Sequence, residues 1–480
     1  MRFSIVPSRF QTGQNDDTQS CFAHVGDFCQ CGLSCTWNGD TPEKCFAPSN
    51  YPLSVLQQHV YPFLLDPLTK WDAARFLRLA LHPQLAQPHP VDDKDESEQA
   101  HAFFPLFPMA IQLVARFLMI VVPQSFLPST CAGVLVLSAV SLNTICFILA
   151  LVSLYKLTYL LLLRHSGSAD ETSCRRHANL VVVLFGINPA SVFFITANSE
   201  SLFAALIFTG SYWMALWGPF GAVIPFTLAS TTRSNGMLYS GYLLLYGAGQ
   251  AFQLKQNLLR RFVRPLMSLL VGLAILFPLY RHNQLAFWAH CERDTETAAR
   301  FEWCAPPNSA SNFYLYSYIQ RKHWNVGFLR YYELKQIPNF LLATPILILS
   351  VTGVVHWLQE SWRHVTSADD KPLLYQCYTW VVESLRQFAN PPHGTSTDNV
   401  CLGRPVLGHY AVWAVATFLG ITLAHVQIST RLLCSTCPAL YWYAAHVVKT
   451  SERWGSLYLG YCLLYIVLGC TLHPLFLPWT

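Results

Sequence analysis

The sequence predicts an all-α polytopic membrane protein with about 10–12 transmembrane helices. Three observations predict it. Of the 480 residues, 52% are hydrophobic and only 12% are charged, whereas a soluble globular chain carries about 25% charged residues. Mean hydropathy is +0.31. The apolar residues also come in long runs separated by polar segments, the pattern of membrane spans rather than of one buried core. The formal net charge of +5 reads as loop charge on a cytoplasmic face. No basic stripe or zinc-finger spacing points to nucleic acid.

Taken in order, residues 1–50 form a polar segment that reads as disordered, with no run long enough to span a bilayer. Residues 51–104 form a first loop. Within it Leu53–Leu68 and Ala73–Leu81 suit short amphipathic helices, and Pro83, Pro88, Pro90 and the acidic run Asp92, Asp93, Asp95, Glu96, Glu98 suit an aqueous turn. Residues 105–281 are a transmembrane region, with spans at 105–123, 131–149, 151–166, 179–196, 200–217, 219–231, 236–250 and 265–281. An aromatic-rich loop follows at 282–336, a transmembrane helix at 337–358 and a polar loop at 359–407. The C-terminal transmembrane helices of 408–480 fall at 408–426, 434–449 and 456–474. Several of these runs are shorter than about 20 residues, so short, broken or tilted helices are expected.

The run Ala132–Leu163 admits two readings: one tilted helix, or two antiparallel spans turning near Leu151–Lys156. Arg164, Arg175, Arg176 and His177 belong on the cytoplasmic side. Two spans then place the Asp72 loop across the membrane from them, and one span places it on their side. Five of the sixteen cysteines lie in the first fifty residues. Cys146, Cys434, Cys462 and Cys470 sit in apolar runs, where cysteine is an ordinary small hydrophobe. The pattern supports neither a strong disulfide framework nor a zinc site.

Four segments carry the residue types of chemistry. Trp71-Asp72 sets a carboxylate beside an aromatic face, which suits a general base next to a sugar and equally suits a helix cap. Glu200 opens an apolar run after Asn188-Pro189 and Ser199, either as a functional membrane-edge charge or as a partner of a helix N-terminus. Arg233-Ser234-Asn235, between two apolar runs, could grip a phosphate or anchor a cytoplasmic edge, and Arg431 raises the same choice. Gln320, Trp324, Asn325, Lys335 and Gln336 belong to the densest polar–aromatic stretch, suited to a sugar phosphate or to interfacial anchoring. P-loop, GxGxxG, GxSxG and HExxH signatures are absent, and Asp92-Asp93 and Asp369-Asp370 read as solvated. A transporter would set its key charges at mid-membrane and show paired repeats, and no internal repeat is found.

The chain resembles the second mannosyltransferase family of glycosylphosphatidylinositol (GPI) anchor synthesis from about Trp71 to Thr480. The matching residues are Trp71-Asp72-Ala73, Ala102-Phe103-Phe104-Pro105, Pro189-Ala190 with Ser199-Glu200, Arg233-Ser234-Asn235-Gly236, Tyr316-Ser317-Tyr318-Ile319-Gln320, Trp324 through Ala343, and Phe476-Leu477-Pro478-Trp479-Thr480. The resemblance implies a GT-C type glycosyltransferase of the endoplasmic-reticulum membrane with lumenal loops. Its implied reaction transfers mannose from dolichyl phosphate mannose to the second mannose position of the GPI precursor, forming an α-1,6 linkage with inversion. It implies no nucleotide, metal or other cofactor, and leaves room for a small membrane subunit as partner. Asp72 becomes the base and Trp71 its neighbour; Arg233, Lys335 and Arg431 become candidates for the cation that steadies the leaving phosphate. A lumenal Asp72 loop favours two spans across 132–163. The rival is another GT-C enzyme acting on a different lipid-linked acceptor, against which the long 316–343 match argues. The family opens with a membrane helix before the Trp-Asp loop, which residues 1–50 do not supply, and carries glycine where Leu106 stands.

Overall fold

The computed structural model describes residues 60–81, 98–165, 171–253, 257–292, 301–304, 315–366, 372–391 and 403–475. Every regular element among them is helical. The first fifty residues, the pairs Asp92-Asp93 and Asp369-Asp370, and Phe476–Thr480 lie outside the described residues.

The described chain starts on two short helices, α1 (Tyr61–Leu65) and α2 (Asp72–Leu81). Helix α2 buries Ala73, Phe76, Leu77 and Ala80, the i, i+3, i+4, i+7 stripe of an amphipathic helix. That stripe lies on α3 (Leu106–Val121) and on the N-terminal turns of α4 (Cys131–His165). The Phe76 ring meets Phe103 and Phe107 edge-on at 5.1 Å, and Gln112 Nε2 donates to the Ala80 carbonyl at 2.6 Å.

Two expectations change here together. Residues 131–165 form one continuous helix, so the preferred pair of short spans at 131–149 and 151–166 is replaced by α4 alone. Nothing between Leu151 and Lys156 interrupts the helix: the segment has neither Pro nor Gly. The 105–123 run is α3, and it is shorter than the expected span. Its 16 residues extend about 24 Å, short of the hydrocarbon thickness of about 30 Å. Its N-terminal flank meets the aromatic segment through Phe103–Trp324 and Phe104–Tyr316. Its C-terminal flank returns to the first segment, where Phe126 O accepts from the Tyr61 hydroxyl. Both flanks of α3 are thus tied to other described segments, the aromatic one and the first one.

The body is a bundle of α4, α5 (Glu171–Gly186), α6 (Ser191–Ile195), α7 (Glu200–Trp217), α8 (Pro219–Thr232), α9 (Leu238–Ala251) and α10 (Leu258–Phe287). It is completed by α11 (Leu315–Trp324), α12 (Ile337–Thr366), α13 (Leu373–Ala389), α14 (Leu407–Thr422), α15 (Ser429–Thr436), α16 (Pro438–Thr450) and α17 (Glu452–Leu472). Among the described residues, five stretches are long and apolar enough to cross a membrane: Cys131–Arg164, Arg261–Glu292, Leu334–Arg363, Arg404–Thr422 and Glu452–Leu472. The shorter helices fill the interior, where Phe185, Phe203, Phe208, Tyr239, Trp413 and Trp442 are buried. The two buried indoles there find partners: Trp442 Nε1 donates to Thr158 Oγ1 at 2.9 Å and Trp413 Nε1 to Ser350 Oγ at 3.1 Å.

Neither long polar loop is wholly irregular. Within 282–336, α10 runs on to Phe287, a π-turn follows at Trp288–Glu292, and α11 holds the Tyr316–Trp324 motif. Within 359–407, α12 continues to Thr366 and α13 packs on α9. That contact is backbone to backbone: a Cβ on Gly249 would lie 2.1 Å from Leu385 O. Cys291 and Cys304 form a disulfide, a pairing that cysteine spacing did not signal.

Candidate active site

Residues from four distant segments meet at one end of the bundle. Asp72 reaches it through a strained approach. The 3₁₀ turn Asp66–Thr69 is tied by Lys70 Nζ to Asp66 at 2.8 Å, and Leu68 O accepts from Ala197 N at 3.3 Å. Trp71 then takes a left-handed backbone, φ 61°, uncommon for a bulky residue and costly enough to need support. Support comes from the far end of the chain, where His473 O accepts from Trp71 Nε1 at 3.3 Å. Asp72 follows as the first residue of α2.

Glu200 arrives by a broken helix. Pro189 ends α5, the Asn188 side chain turns the chain by binding Phe185 O and Ala190 N, and α6 is one short turn. Asn143 of α4 pins the next break, donating to Thr196 O at 2.5 Å and Asn198 O at 2.8 Å. Glu200 then opens α7 with its side chain buried at 1% exposure, where the helix dipole favours a negative charge. Arg233 follows α8 in extended backbone, and the 3₁₀ turn Ser234–Met237 holds it. Arg431 comes from α15, its guanidinium 5.0 Å from the Phe193 ring.

The four charges alternate. Asp72 is ion-paired with Arg431, Arg431 Nε lies 3.7 Å from Glu200 Oε1, and Glu200 is ion-paired with Arg233. Arg233 also donates to Ser199 Oγ at 3.3 Å. A buried charge is tolerable only in such company. Glu200 Oε2 keeps no hydrogen-bond partner. Desolvation raises the Asp72 carboxyl, but Arg431, then Arg233 and Arg75, outweigh it, and the net shift is below the usual 3.8. Burial disfavours the Arg431 cation, and Asp72 and Glu200 more than restore it. His473, fully buried beside this row, is pulled down to about 4 by burial and by the Arg431 charge.

The cluster extends outward. Ser234 Oγ and the Tyr316 hydroxyl are 3.0 Å apart, and Asn235 Nδ2 donates to Thr436 Oγ1 at 2.8 Å. Burial raises the Tyr316 phenol; Ser234, Arg233 and Gln320 act against it, which places Gln320 beside the same hydroxyl. The structure thus gathers Trp71, Asp72, Glu200, Arg233, Asn235, Gln320 and Arg431. Trp324 and Asn325 lie at the far end of α11: Trp324 O is bound by the His425 ring, and Asn325 has φ 50°. Lys335 pairs with Glu333 at 2.5 Å on an exposed face, and Gln336 Oε1 accepts from Asn339 at 2.6 Å, so these two do not join the row. Sequence reasoning missed Tyr316 as a site residue, and it missed His473, whose only signal is a histidine directly after an apolar helix.

The sequence pattern of the family described as Mannosyltransferase (PIG-V) matches residues 40–480. The chain belongs to this family. It is 30% identical to the GPI alpha-1,6-mannosyltransferase 2 of Cricetulus griseus, over 92% of this chain and 93% of that one. It is 32% identical to the protein of that name in Mus musculus, over 86% and 79%. It is 28% identical to the GPI mannosyltransferase 2 of Drosophila pseudoobscura pseudoobscura, over 87% of each. No solved structure matches. Membership makes this chain a mannosyltransferase.

Proposed function

We propose that the chain transfers the second mannose of the GPI precursor from dolichyl phosphate mannose, through an α-1,6 linkage, on the lumenal face of the endoplasmic reticulum. The observation that carries this reading is the Asp72–Arg431–Glu200–Arg233 row, joined to the family's match across residues 40–480. Asp72 accepts the proton of the acceptor 6-hydroxyl as that oxygen bonds to the anomeric carbon. The bond from that carbon to the phosphate oxygen breaks, and its electron pair leaves on dolichyl phosphate. Attack opposite the leaving group inverts the centre, so an α product requires a β-linked donor. Arg431 faces two carboxylates, Asp72 and Glu200, whereas Arg233 faces Glu200 alone and is 17% exposed, so Arg233 is the cation assigned to the leaving phosphate. A lumenal site is supported by the Cys291–Cys304 disulfide, because disulfides persist in oxidising compartments.

The test is expression in cells that lack this transfer step. The wild-type chain restores GPI-anchored proteins to the surface, and Asp72→Ala does not, at equal protein abundance. Full rescue by Asp72→Ala would refute the assignment of the base. No rescue by the wild-type chain would refute the reaction.

A further inference from the structure

A second buried polar group lies beside the row and is not explained by it. Glu98, at the end of the acidic run that reads as an aqueous turn, is 0% exposed. Its Oε2 holds Lys322 Nζ at 2.5 Å and His323 Nε2 at 2.9 Å, both on α11. Burial raises the Glu98 carboxyl, and His323 and Lys322 bring it below its usual value. Gln99 Nε2 adds a contact to His323 Nδ1 at 3.1 Å. His101, His282 and His290 pack alongside, but among the described residues no three His, Cys, Asp or Glu side chains are grouped as metal ligands.

What this contact holds is the helix that carries Tyr316, Gln320 and Trp324. Helix α11 has 10 residues and would not be stable alone. Its buried side is fixed through Leu315 and Ile319 to Ala286, Phe301 and Trp303, next to the disulfide. The Tyr318 hydroxyl adds a bond to Glu302 Oε2 at 2.8 Å, and the His425 ring binds Trp324 O at the end of the helix. Glu98 adds the tie on the side of the first loop, because it binds two consecutive side chains and comes from the segment that continues into Phe103 and Phe104. Those rings in turn meet Trp324 and Tyr316. We propose that Glu98 is a positioning residue for mannosyl transfer: it draws Lys322 and His323 to the first loop and so holds Tyr316 and Gln320 over Arg233 and Asp72, where the acceptor glycan binds. This rests on the function proposed above.

The test uses membranes containing the full chain, with dolichyl phosphate mannose and a one-mannose GPI precursor. Glu98→Gln keeps the shape and removes the charge. It raises the acceptor KM about tenfold, within the range in which contacting groups couple, and leaves turnover at saturating acceptor within about twofold. Lys322→Met moves the acceptor KM in the same direction, and the double variant is no worse than Glu98→Gln alone. If Glu98→Gln fails to accumulate, Lys322→Met carries the test. An unchanged acceptor KM, or additive losses in the double variant, would overturn the proposal. A wild-type chain that transfers nothing would instead overturn the function.

Discussion

A carboxylate that takes a proton from a sugar hydroxyl must be ionised and must keep an oxygen free. Arg431, with Arg233 and Arg75, secures the first condition at Asp72, since their charges and the Arg431 hydrogen bond together outweigh the desolvation that would raise the carboxyl. The Asp72 side chain is 35% exposed, which leaves the second condition open to an acceptor. The sign for pH follows. A folded-state value below 3.8 means the ion pair's contribution is fully present above the ordinary aspartate range and is lost as pH falls through the depressed value. Protonation of Asp72 therefore does not limit turnover at pH values well above the ordinary aspartate range; an acid limb near pH 5–6 that disappears in an otherwise active Asp72→Glu variant would contradict this. Asp72→Asn keeps the shape and removes the base, and turnover falls at least about a hundredfold in membrane assays. Arg233→Ala is a different failure: it removes the direct ion-pair partner of Glu200, whose side chain is 1% exposed, and leaves only Arg431 Nε at 3.7 Å. Loss of one partner of a buried pair costs about 3–5 kcal/mol, so thermal unfolding of the detergent-solubilised protein shifts markedly downward, while Asp72→Asn shifts it much less.

The elements around the site show what a sequence can and cannot carry. Asp72, Glu200, Arg233 and Arg431 each stand out in sequence as charges at the edges of apolar runs. Which meets which does not, because Asp72 and Arg431 are 359 positions apart and only packing joins them. Glu98 shows the opposite error. Inside an acidic run its neighbours speak for solvent, and its burial depends on Lys322 and His323, 224 and 225 positions away. The boundaries of α7, α8 and α9 were legible because Pro, Gly and polar residues punctuate them, but α13 was not, since its apolar face is interrupted by charges. Gly236 gives an element-scale prediction. A Cβ there would lie 2.6 Å from Ser230 N and 2.7 Å from Ser230 Cα, so the backbone must move. Gly236→Ala therefore displaces the turn that holds Arg233, at an overpacking cost of about 1–3 kcal/mol. The donor KM rises while the acceptor KM holds, the reverse of the pattern expected for Glu98→Gln.

At the scale of the whole molecule, orientation depends on α3. Hydropathy sees its apolar residues and reads a span, yet they divide between two surfaces: Phe107, Ile111 and Ala115 are buried, and Met109, Leu113, Phe117 and Ile120 are exposed. One face packs on α2 and α4, and the other suits the acyl edge of a bilayer, as in a helix that lies in the interface. If α3 lies in the interface and returns to the side it left, a single crossing by α4 separates the Asp72 loop from Arg164, Arg175 and Arg176. The proposed lumenal site then needs no second span across 132–163. Glycosylation acceptor tags separate the alternatives. Tags inserted within 83–97 and after Gln124 both acquire glycan, and a tag within 166–170 does not, because the first two flank an interfacial helix and the third follows a true crossing. If only the tag after Gln124 were modified, α3 would span the membrane, Asp72 would face the cytosol, and a lumenal transfer reaction at this site would be ruled out.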